Sequence, residues 1–176
     1  MTLIAISGTP GVGKTSVISE LRSRGKRVLD VNEYIRENGL LGEKDDERDT
    51  FSVDIDSLNS SLMNMEYDGE LFLDSHMSHC IDCDMIFIFR CHPSVLAERL
   101  RGRGYSESKI AENVQAEILD VILCEASEME VPVYEIDCTH GDVKDFADEI
   151  ERVLAGNTDK YLPGNVDWTE ELERWF

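Results

Sequence analysis

The stretch Gly8-Thr-Pro-Gly-Val-Gly-Lys-Thr-Ser16, GTPGVGKTS, decides the fold. It follows directly on the apolar run Leu3-Ile4-Ala5-Ile6 and leads into Val17, Ile18 and Leu21, which recur at helical spacing. A short buried strand, a glycine-rich turn and a helix over Lys14 to Arg22 are therefore expected in that order. Glycine lets the backbone N–H groups of such a turn converge on one point, and the positive end of the following helix is aimed at the same point.

Gly8, Gly13, Lys14 and Thr15 satisfy the spacing G-x-x-x-x-G-K-[ST], and the strand-to-helix context is the one that spacing requires. The alternative is a glycine-rich turn with no ligand. The full motif in context instead predicts an anion cradle for a nucleoside triphosphate. Lys14 is expected to reach the β- and γ-phosphates, Thr15 to hold Mg²⁺, and Ser16 to lie near the α-phosphate.

This local anion site stands in a chain of 176 residues whose 37 acidic and 17 basic side chains give a formal net charge of −20. Such a balance disfavours direct nucleic-acid binding, which depends on Lys and Arg neutralising phosphate. A basic protein is the more natural partner, although a solvated acidic surface kept soluble by repulsion accounts for the same charge. The length suits one domain, and 41% hydrophobic residues suffice for a core. No apolar run reaches the roughly 18 residues of a membrane span, and the glycine turn begins too early for a signal peptide. A cytoplasmic protein with reduced thiols at Cys80, Cys83, Cys91, Cys124 and Cys138 is expected.

Further strands are expected at residues 27–30, 69–75, 84–90 and 133–137. Helices are expected at residues 31–38, ended by Gly39, along Val53, Leu58, Leu62 and Met65, and from Pro93 through Leu100. One long helix from Ser106 is expected to carry Ile110, Val114, Ile118, Val121 and Ile122 as a single stripe, and a last one follows an Asp142 N-cap. The acidic run GEKDDERDT, residues 42–50, has few apolar anchors and reads as a mobile or inserted piece. Residues 157–176 read as a tail whose aromatics pack on the domain or on a partner. Strands alternating with helices predict an α/β fold, a parallel sheet with helices on both faces.

Asp74 ends an apolar strand, a position from which a carboxylate can reach Mg²⁺ through water, and His76 follows at the strand's period of two. A structural turn is the other reading of Asp74. His76, His79, Cys80 and Cys83 also offer zinc-type ligands, but one H-x-x-H-C-x-x-C without a second knuckle reads more simply as packing. Arg90, Arg99, Arg101 and Arg103 cluster, and phosphoryl transfer needs cations over the moving group. Arg103, flanked by Gly102 and Gly104, is the candidate lid arginine, while Arg99 and Arg101 fit a solvated helix face equally well. Arg36 is the candidate acceptor-phosphate residue.

GTPGVGKT, the Asp74-Ser75-His76 triplet and RGYSESKIAENVQAEI together resemble the adenylate kinase isoenzyme six type, over about residues 2–155. The resemblance implies a P-loop nucleoside monophosphate kinase fold with a five-stranded parallel sheet. It implies one domain over residues 1–156, with a monophosphate-binding insertion at about residues 31–54 and a lid at about 102–112. By matching positions it implies ATP held by Gly11, Gly13, Lys14, Thr15 and Ser16, Arg103 closing from the lid, and Asp74 and His76 serving Mg²⁺ and the phosphate or water. It also implies adenylate kinase and ATPase activity with AMP as acceptor, and a role in small ribosomal subunit maturation through a basic small-subunit protein. Three functions are therefore in view: a kinase for AMP, an ATP-driven assembly factor, and a kinase for another small acceptor.

Overall fold

The apolar runs that read as strands lie side by side in a five-stranded parallel sheet. A computed structural model describes residues 2–45, 50–75 and 77–176. In chain order the elements are β1 (Thr2–Gly8), α1 (Lys14–Ser23), β2 (Arg27–Asp30), α2 (Val31–Glu37), β3 (Leu41–Asp45), β4 (Thr50–Val53), α3 (Ile55–Met63) and β5 (Glu70–Asp74). There follow β6 (Met85–Arg90), α4 (Pro93–Gly102), α5 (Glu107–Ile118), α6 (Val121–Ser127), β7 (Val133–Asp137), α7 (Val143–Leu154) and α8 (Leu172–Trp175). The sheet order is β2-β5-β1-β6-β7, with β1 at the centre. Among the described residues no helix is long and apolar enough to cross a membrane.

The strands are apolar at successive positions because both faces are covered. On one face Ile4, Ile6, Phe72, Phe87, Phe89 and Ile136 pack against α1, α4, α5 and α7. On the other, Leu3, Leu71 and Leu73 meet α2 and α3, while Ala5, Ile86 and Ile88 meet Leu123 and Ala126 of α6. Each pair of neighbours in a strand thus divides between the two layers, as a period of two requires. Asp142 caps α7 in a capping box with Asp145. Arg24, just past α1, donates to Glu20 at 2.9 Å and to Asp148 of α7 at 2.6 Å, which ties the first helix to the last long one.

Three expectations need correction. The stripe from Ile110 to Ile122 is not one helix: α5 stops at Ile118, Asp120 adopts a left-handed φ of 55°, and α6 restarts at Val121, which is exposed. The break carries the chain from the α5 face to the α6 face of the sheet. Its cause is the guanidinium of Arg90, which donates to the Glu117 carbonyl at 3.1 Å and pairs with the Asp120 carboxylate. Second, no strand is expected between residues 41 and 53, yet β3 and β4 pair there as an antiparallel hairpin; residues 46–49 of the acidic run lie outside the described part. Third, Val53 ends β4 instead of starting a helix, and Asp54 caps α3 by accepting from the Asp56 and Ser57 amides.

Arg90 itself is buried at 1% exposure among the carboxylates of Glu117, Glu135 and Asp120. Replacing it with methionine strands Glu117 and Glu135 without their cation. Arg90→Met is expected to lower unfolding free energy by about 3–5 kcal/mol, measured by denaturant titration.

Gly8 and Gly13 both have positive φ, 140° and 121°, but only Gly8 is crowded, since a Cβ there would lie 2.5 Å from the Phe89 carbonyl oxygen. Both alanine variants carry backbone strain of about 1–3 kcal/mol. Gly8→Ala adds a clash with the backbone of β6 worth about another 1–3 kcal/mol, so its denaturation midpoint is expected to fall well below that of Gly13→Ala.

Candidate functional site

In an open parallel sheet, the crevice outside the carboxyl ends of the strands is where ligands sit, and here the glycine-rich turn between β1 and α1 occupies it. Gly11 and Gly13 hold φ of 98° and 121°, conformations that side chains rarely adopt. Gly11 is also packed, because a Cβ would lie 2.9 Å from the Leu96 and Leu100 side chains of α4. The loop is therefore shaped by α4 from outside and closed by Lys14 from inside. The Lys14 ammonium donates to the carbonyl of Gly8 and to that of Thr9 at 3.2 Å.

Burial pushes the Lys14 ammonium down to about 8, against which Glu117 and Asp74 pull upward and Arg103 pushes further down. An ammonium that has lost water and gained only carbonyls is short of negative charge. It is suited to an anion arriving at the loop. Thr15 and Ser16, the next two residues of α1, are exposed at its N-terminus.

Asp74 closes β5 opposite Ile6 of β1 and opposite Asp30 of β2. Burial holds its carboxyl above the usual range, with Arg22 at 3.9 Å opposing that shift and Asp30 adding to it. Hydroxyl and carboxylate oxygens are the donor types that Mg²⁺ takes, so Thr15 and Asp74 form a chemically fitting pair. His76 lies outside the described residues. Among the described residues, no three His, Cys, Asp or Glu side chains gather as a metal site.

Arg103 caps the C-terminus of α4 and lines a cleft of about 230 Å³ with Gly11, Gly13, Ser16, Arg99, Val143 and Phe146. The structure thus brings Gly11, Gly13, Ser16 and Arg103 together around the cleft, and Lys14 feels the charges of both Arg103 and Asp74. Arg36 is exposed on α2 and stands apart from the charges that act on Lys14. The expected lid, about residues 102–112, spans the last residue of α4, the four-residue link Arg103 to Ser106 and the first half of α5.

The other arginines divide. Arg101 pairs with Glu107 at 3.0 Å on the surface, as a solvated face predicts, and Arg90 is consumed inside the sheet. Arg99 is neither. It donates to the Val12 carbonyl at 2.9 Å and the Cys138 carbonyl at 2.8 Å, bracing the loop against the end of β7. Its signal was present: Arg99 lies three residues after buried Leu96 and one before buried Leu100, on the inward side of α4.

Sequence reading missed Thr9 and Glu117 altogether. The Thr9 hydroxyl donates to Glu117 at 2.5 Å, and the other Glu117 oxygen accepts from Arg90 at 2.8 Å and from the Cys91 amide at 3.1 Å. Phe146 and Val143 of α7 also wall the cleft.

The chain is similar to known proteins. Residues 4–120 match the family model described as "AAA domain". The protein named "Putative adenylate kinase" of Methanocaldococcus jannaschii is 42% identical over 170 residues, 96% of this chain and 93% of that protein. The protein of the same name from Archaeoglobus fulgidus is 41% identical over 174 residues, 97% of this chain and 94% of that one. The crystal structure of shikimate kinase from Bacteroides thetaiotaomicron superposes with a TM-score of 0.58 at 15% identity, covering 88% of this chain and 98% of that one, a likeness of fold. With its glycine loop, central β1 and five parallel strands, the fold is that of P-loop kinases, and the chain belongs to the family of these archaeal adenylate kinase-named proteins.

Proposed function

We propose that the protein is a nucleoside monophosphate kinase that transfers the γ-phosphate of ATP to AMP. The observation that carries this reading is the Lys14 ammonium held against the Gly8 and Thr9 carbonyls of the glycine loop and desolvated there, within the influence of Arg103 and Asp74. Phosphoryl transfer requires little covalent help; it requires cations where charge spreads over the moving group and a fixed line of attack. Relatives at about 40% identity over nearly the whole chain bear an adenylate kinase name.

In this reading the amides around Gly11 and Gly13 bind phosphate oxygens, and Lys14 follows the β- and γ-phosphates. Thr15 and Asp74 would hold Mg²⁺, the latter through water, and the metal when bound supplies charge neutralisation between the phosphates. Ser16 faces the α-phosphate and Arg103 closes over the cleft. His76 orients the phosphate or water, and Arg36 meets the acceptor phosphate. Mg-ATP and AMP added together are expected to give ADP far faster than ATP alone gives phosphate. Rates independent of AMP would overturn the acceptor assignment.

A second reading is favoured by the net charge of −20. In it the same site hydrolyses ATP in the cytoplasm while the acidic surface engages a basic small-subunit ribosomal protein during subunit maturation. Release of such a protein from the chain on ATP addition, without AMP, is its distinguishing result.

The state of Lys14 gives both readings a common pH dependence. Its folded pKa lies near 8 rather than 10.5, so the free ammonium is present below about pH 8 and lost above it. Bound phosphate favours the charged form, and binding above pH 8 must therefore take up a proton. Mg-ATP affinity is expected to be flat below pH 8 and to fall by up to about tenfold per pH unit above it. Calorimetry in buffers of different ionisation heat reads the proton directly.

A further inference from the structure

Glu117 stands outside the phosphate-binding constellation, yet it is the carboxylate that most favours the charged form of Lys14. It is buried at 3% exposure near the end of α5, and its two oxygens face different parts of the molecule. Oε2 takes the Thr9 hydroxyl at 2.5 Å. Oε1 takes Arg90 at 2.8 Å, the Cys91 amide at 3.1 Å and the indole N–H of Trp168 at 3.3 Å. Thr9 is the second residue of the glycine loop, and its own carbonyl accepts from Lys14. One carboxylate therefore joins the loop, the end of β6 and the C-terminal segment.

That segment is docked rather than trailing. Trp168, Leu172 and Trp175 pack on the main core cluster, and the Trp168 ring meets His92 edge-on at 5.1 Å. The Gly164 amide donates to Glu135 at 2.7 Å, and Gln115 donates to the Trp175 carbonyl at 2.7 Å. The segment thus touches two of the three carboxylates that hold Arg90.

We propose that Glu117 is the positioning residue of the phosphate loop, and that the C-terminal segment completes this positioning through Trp168. This rests on the reading that the loop from Gly8 to Ser16 binds nucleotide phosphates. The physical argument is one of acceptor geometry. A carboxylate that accepts three hydrogen bonds at Oε1 and one at Oε2 is held in one orientation, and Thr9 is then fixed with its carbonyl toward Lys14. Without the indole N–H, Oε1 keeps Arg90 and the Cys91 amide but loses the contact that sets its tilt toward the tail. Linkage makes the effect reciprocal: what the tail does for nucleotide binding, nucleotide does for tail docking.

The test uses the full-length protein and Mg-ATP as the probe, with calorimetric affinity, the kcat and KM for ATP, and thermal midpoint measured in parallel. Thr9→Val and Trp168→Phe, each removing one hydrogen bond, are expected to weaken Mg-ATP binding about fivefold. The double variant is expected to lose clearly less than the product of the two, because both act through one carboxylate. Thr9→Ser, which keeps the hydroxyl, is expected to restore affinity. Trp175→Phe is the control: its indole bonds Glu171 within the tail at 3.2 Å, so affinity is expected to stay within twofold.

Trp168→Phe with a lowered thermal midpoint but unchanged Mg-ATP affinity would show a merely structural role and overturn the proposal. So would equal losses in Trp168→Phe and Trp175→Phe. Expected losses in a protein whose turnover ignores AMP would support the positioning role and overturn only the acceptor assignment. Absence of Mg-ATP binding in the unaltered protein would overturn both.

Discussion

A guanidinium at the carboxyl end of a central strand constrains everything around it. Arg90 is the last residue of β6 and is almost wholly out of water, so its charge must be met in place. Three carboxylates meet it: Glu135 from the neighbouring strand, Glu117 from the end of α5, and Asp120 from the residue at which the helix breaks. Ion pairs of this kind add little over apolar packing of the same volume, yet losing one member is costly. Their consequence is geometric. The strand ends, the helix break and the crossing of the chain over the sheet edge are all tied to one planar cation.

The phosphate loop lies on the same edge and shares a member of that cluster. Glycines at positive φ turn its backbone, α4 presses on it through Leu96 and Leu100, and Arg99 holds Val12 from below. Lys14, Arg99 and Arg103 form a small cationic zone in a molecule of net charge −20. At physiological salt, exposed charges beyond about 8 Å are largely screened. The local zone therefore governs what binds at the loop, while the acidic surface governs what approaches the rest of the molecule.

Much of this was legible in the residues. GTPGVGKT after an apolar strand carries its own stereochemistry, since glycine, lysine and threonine at those positions act through backbone freedom and side-chain reach within one turn. The strand runs were readable because a sheet covered on both faces leaves no polar alternation. The place of Arg103, at the end of α4 beside the cleft, agrees with the glycines that flank it. The helix at Ile110 was readable as far as Ile118, and there the pattern misled: Val121 and Ile122 continue the spacing, but a buried arginine 28 residues earlier in the chain takes the carbonyl and the carboxylate that end the helix. The hairpin of β3 and β4 was equally hidden, because its pairing sets strands against each other without an apolar run to announce them.

What the sequence by itself determined was local: the glycine loop, the strands it follows and faces, the helix cap at Asp142, the helix start near Ser106, and the charge balance. Only the tertiary structure decided which arginine goes where. Arg90, Arg99, Arg101 and Arg103 are nearly equivalent as letters in a chain, but one is buried among carboxylates, one braces the loop, one meets solvent and one lines the cleft. The reason is that a cation's function is set by the dielectric and the partners around it, and those partners, Glu117 and Glu135 above all, come from distant parts of the chain. Periodicity reports which face a residue occupies; it is silent on what the other faces bring to meet it.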